Sequence, residues 1–80
     1  MDIVKLPVGE GAPPESDCIS IEEQPSGGFA LTGSLLAGEE SVAIVKPILC
    51  PTREAAEEQG ISWAAGCDVP QLYVSTTLLG

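Results

Sequence analysis

Cys18-Ile19-Ser20-Ile21-Glu22-Glu23-Gln24-Pro25-Ser26-Gly27-Gly28-Phe29-Ala30-Leu31-Thr32-Gly33-Ser34-Leu35 is the stretch whose periodicity decides the fold. Ile19 and Ile21 alternate with Ser20 and Glu22, the period-two pattern of a half-buried strand. Gln24 to Gly28 is a cluster of turn residues. Beyond it Phe29, Leu31 and Leu35 share one face, and Thr32 and Ser34 the other. The pattern predicts a β-hairpin closed by a five-residue loop. Gly33 falls on the Phe29 face, where a missing side chain marks a bulge or a close contact.

Toward the start of the chain, residues Ile3 to Val8 predict a short strand that Pro7 ends or confines to a sheet edge. Gly9 to Asp17 is a Gly/Pro-rich loop. After the hairpin, Ala37-Gly38-Glu39-Glu40 predicts a second turn, and Ser41 to Lys46 an apolar strand that Pro47 closes or places at an edge. Ile48-Leu49-Cys50 leads to a helix start, with Thr52 as N-cap and Glu54 in the first turn. The helix begins at Arg53 and ends at Gly60 or Gly66. At 100° per residue, Thr52, Ala56, Gln59, Gly60, Trp63 and Cys67 lie on one side, and Glu54, Glu57, Glu58 and Ile61 on the other. Gln71 to Leu79 alternates again and predicts a final strand. The expected fold is one α+β domain over residues 1–80, in the order β-β-β-β-α-β. It has an antiparallel sheet of four or five strands and one helix on one face. The stretch Thr52 to Ala64 followed by Leu72-Tyr73-Val74 resembles small β-sheet families with a single helix before the last strand. That resemblance implies a fold and no activity.

Charge narrows the function classes. Three basic residues stand against twelve acidic ones, and histidine is absent, for a formal charge of −9. Phosphate backbones and anionic lipid both demand a cationic footprint, so direct nucleic-acid and membrane-surface binding are disfavoured. Without histidine the commonest general base and metal ligand is missing. Cys18, Cys50 and Cys67 lie 32 and 17 residues apart and match no common zinc spacing; their odd count argues against a disulfide framework. They are expected as reduced, mostly buried thiols. No metal and no cofactor is expected. No apolar run is long enough to cross a membrane, and the first residues lack the pattern of a secretory signal, so the expected location is cytoplasmic.

Three function classes follow. The favoured one is a non-enzymatic binding protein that presents Glu22, Glu23, Glu39, Glu40, Glu54, Glu57 and Glu58 to a basic protein surface, with Ile61 as an apolar anchor in the charged rim. A sharper version is an inhibitor that mimics the phosphate array of nucleic acid. Ile61 has an alternative role, turning inward to the core if the helix stops at Gly60. The second class is a homodimer or assembly subunit joined through a sheet edge, with Pro7 and Pro47 as edge blockers and an unblocked last strand. The third is a thiol-based enzyme or sensor using Cys50, which precedes Pro51-Thr52-Arg53 at a helix N-terminus.

Overall fold

The computed structural model describes residues 1–36 and 42–79. Its elements are β1 (Asp2–Lys5), β2 (Cys18–Glu23), β3 (Phe29–Leu35), β4 (Val42–Cys50), α1 (Arg53–Ala65) and β5 (Gln71–Thr77). They form a five-stranded sheet in the spatial order β1-β5-β2-β3-β4, with the helix packed on one face. The α+β class and the element order agree with the sequence. The Ala37–Glu40 turn lies outside the described residues.

The purely antiparallel sheet is corrected. β2, β3 and β4 are antiparallel neighbours, but β5 runs parallel to both β2 and β1. The reason is the crossover. A helix between β4 and β5 carries the chain back across the sheet, so β5 starts at the same end as β4, and the two antiparallel steps to β2 leave β5 and β2 codirectional. The unblocked last strand is also corrected: β5 is interior, between β1 and β2, and the edges are β1 and β4.

The hairpin forms in the expected register, Ile19 opposite Gly33 and Ile21 opposite Leu31. Its loop is closed by the Gln24 N–H donating to Gly28 O at 3.0 Å, with Gly27 and Gly28 at φ 93° and 80°. β4 does not end at Pro47. The register with β3 shifts between Leu31–Ile48 and Gly33–Ile44, so Val45, Lys46 and Pro47 bulge opposite Thr32. A proline lacks the N–H a regular ladder needs, and an edge bulge is where that loss is tolerated.

Ile19, Ile21, Leu31, Leu35, Leu72 and Val74 are buried on the helix-covered face, each contributing roughly 1.5–3 kcal/mol of transfer free energy. The helix meets them with Ala56, Gly60 and Ala64, a stripe at i, i+4 and i+8 without bulk. A Cβ on Gly33 would lie 2.5 Å from Trp63 Cζ3, and one on Gly60 would lie 2.5 Å from Ile19 Cδ1. The missing side chains of Gly33 and Gly60 thus let the helix sit close, with Trp63 laid over the strand. The helix runs to Ala65 with Gly66 as C-cap, so Gly60 is a packing point and not a stop. Thr52 caps the other end, its Oγ1 accepting from Ala55 N at 3.1 Å.

Candidate partner-binding surface

Of the seven carboxylates and one aliphatic residue singled out above, the six that are described do not all share one surface. Glu22 and Glu23 are neighbours on β2 and point to opposite faces of the sheet, as strand alternation requires. Glu22 is exposed, whereas Glu23 is half-buried and accepts from Leu79 N at 2.8 Å. Glu39 and Glu40 lie outside the described residues. Glu54, Glu57 and Glu58 occupy the first turns of α1, Glu54 and Glu58 exposed and one turn apart.

Glu57 departs from the helical projection that places it outward. Its side chain is 15% exposed and receives two cations: Lys5 Nζ at 3.1 Å from β1, and Arg53 Nε at 3.4 Å from one turn earlier in the helix. The Arg53–Glu57 spacing of i, i+4 is visible in the sequence. Lys5 is not, because its approach depends on β1 lying beside β5, a placement no local pattern encodes. Of the two roles open to Ile61, the packing matches the inward one. The residue is half-buried and packs against the core cluster with Trp63 even though the helix continues past Gly60.

A shallow groove of about 370 Å³ runs along the helix, lined by Ala55, Glu58, Gln59 and Ser62. Gln59, projected onto the buried side, is exposed. Its Oε1 lies 3.6 Å from Cys50 Sγ, and the Cys50 thiol is buried at the end of β4. The expectation of mostly buried thiols holds for Cys50 alone: Cys18 is half-buried and Cys67 exposed, beyond the helix end where the chain turns away. Burial, helped by the neighbouring Asp17 carboxylate, raises the Cys18 thiol above its ordinary value of 9.0 and keeps it protonated near neutrality. Among the described residues no group of three or more Cys, Asp or Glu side chains is placed to hold a metal ion. Nor is any helix among them long and apolar enough to cross a membrane.

The face of the sheet away from the helix carries short polar side chains. Thr32, Ser20 and Ser75 align in one row across β3, β2 and β5. The loop after β1 crosses this face at β5, where Ser75 Oγ donates to Glu10 O at 3.0 Å, and rejoins the sheet where Tyr73 N donates to Asp17 O at 2.9 Å.

No family model, no curated protein and no solved structure matches this chain.

Proposed function

We propose that this protein is a non-catalytic binding module whose acidic exterior recognises a basic surface on a partner protein. One observation supports the reading above the others. Two of the three basic residues, Lys5 and Arg53, converge on the single carboxylate of Glu57. Among the described residues, Glu22, Glu54 and Glu58 stand exposed outside both ion pairs. Uncompensated charge of one sign accelerates encounter with its opposite and disfavours wrong partners. A decoy for a nucleic-acid-binding groove is the special case in which the partner's basic surface normally holds phosphates.

The test is retention of basic proteins on the immobilised chain across a salt series, with Glu54→Gln/Glu58→Gln as comparison. Retention that falls with salt, and falls at lower salt for the double variant, is the expected result. Retention indifferent to both overturns the reading. The exposed apolar side chains of β4 favour a second reading, self-association: Val45 is 89% exposed and Leu49 75%. Sedimentation that is independent of concentration excludes it.

A further inference from the structure

We infer that β1 is a replaceable strand, and that the β5 edge it covers receives an extended segment of the partner carrying an aliphatic residue followed two positions later by a lysine. The inference rests on the proposed recognition of a basic partner and names the form that partner takes.

β1 is lightly held. Asp2, Ile3 and Lys5 are exposed and only Val4 is half-buried. The helix lies over β2, β3, β4 and β5 and not over β1. Among the described residues β1 is joined to β5 by the parallel ladder, extended by Asp2 N–H donating to Pro70 O at 3.0 Å, and to the helix by the Lys5–Glu57 ion pair, whose lysine is 62% exposed. Edge segments with little buried apolar surface open locally far below the free energy of global unfolding. An incoming strand remakes the backbone bonds that β1 gives up, including those that continue the seam at Leu6 N to Val74 O and Gly9 N to Thr76 O.

The chemistry of the occupant is written in β1 itself. Ile3 stands beside Leu72, and Lys5 beside Val74, both on the helix-covered face. Leu72 and Val74 are themselves buried, and Glu57 stands at the lysine position, paired also with Arg53. The opposite edge is unsuited to this mode, because the bulge at Val45–Pro47 interrupts a uniform ladder along β4.

The probe is a synthetic peptide with the sequence of Met1 to Val8, titrated onto the full chain carrying Lys5→Glu, which repels Glu57 and loosens the resident strand. Leu6 N–H bonds Val74 O and Tyr73 N–H bonds Asp17 O, so strand alternation turns the amides of Leu72, Val74 and Thr76 toward β1 and those of Tyr73 and Ser75 toward β2. Hydrogen exchange in the variant is expected to rise about tenfold at the first set and to stay unchanged at the second. The peptide restores protection, and does so more tightly for the variant than for the native chain, whose site is already filled. Replacing the lysine of the peptide by Gln weakens binding about fivefold, the worth of one partly exposed ion pair.

Equal exchange at both sets, or peptide binding indifferent to the lysine, overturns the inference. So does a concentration-dependent dimer that exchanges β1 between copies. Should Lys5→Glu unfold the chain, Glu57→Gln in the otherwise native protein gives the same exchange readout. Salt-sensitive retention of a basic partner that is unchanged in Glu57→Gln sinks the strand site and leaves the acidic-surface reading standing; loss of salt-sensitive retention in the native chain sinks both.

Discussion

Gly33 shows how a single residue sets the separation of two layers. Its helix-side space is filled by the Trp63 ring, with Cζ3 at 2.5 Å and Cη2 at 3.0 Å from where a Cβ would stand. An aromatic ring cannot yield as a flexible chain end can, so Gly33→Ala forces the helix outward. The expected cost is about 1–3 kcal/mol, seen as a lower urea midpoint at unchanged slope. Cys18 adds a pH effect with a definite sign. Its folded thiol holds its proton above the ordinary 9.0, chiefly through burial and then through Asp17. The folded chain therefore binds this proton more tightly than the unfolded one. The stabilisation is fully present below 9.0 and is lost as pH rises through 9.0 toward the folded value. Cys18→Ser removes that part of the alkaline decline, which urea melts at neutral and alkaline pH measure. Trp63 and Gly33 are legible as a contact only in part: the sequence marks the strand position as close-packed, but which helical residue fills it depends on the crossing of the layers.

At the scale of elements, the hairpin and the helix cap are legible because both are local. Ile19 and Ile21 alternate within a few residues, and Thr52 meets its amide three residues on. The pairing of β5 escapes the same reading, since Leu72 and Val74 carry the same alternation whether their neighbours run parallel or antiparallel. The signal that decides it is present in the order of elements, a helix standing between two strands of one sheet. The candidate site is less legible than the fold. A helical projection sends Glu57 outward because β1, which brings Lys5 to it, has a strand pattern with no address. Pro47 belongs at this scale too. It sits in the bulge of an edge strand flanked by exposed Val45 and Leu49, where a missing N–H blunts pairing with a second chain. Pro47→Val returns that donor and adds β propensity. Its expected outcome is self-association in sedimentation velocity at concentrations where the native chain shows less of it.

For the molecule as a whole, charge competes with itself. The chain carries −9 in a body of 37 × 21 × 18 Å. The screening length is about 30 Å at 0.01 M salt and about 8 Å at 0.15 M, so at low salt every carboxylate feels the others across the fold. Salt also weakens the two ion pairs at Glu57, but pairs with partners as exposed as Lys5 contribute about 0–1 kcal/mol. Repulsion among the many carboxylates outweighs these two attractions, so added salt stabilises. Relief of about 1 kcal/mol raises the Tm by about 4–8 °C for a chain of this size, read by thermal unfolding at the two ionic strengths. A Tm that falls with salt would show that the paired charges outweigh the repelling ones.

The placement of β5 between β1 and β2 has a consequence for how the chain reaches this state. An interior strand, β5, is the last of the five to be synthesised, so during translation β1 has no neighbour and β2 one bare flank until residues 71–77 emerge. The hairpin with β4 can assemble early from nearby segments, whereas closure of the central seam waits on contacts spanning most of the chain. Until then the flank of β2 offers unpaired backbone groups to any other strand.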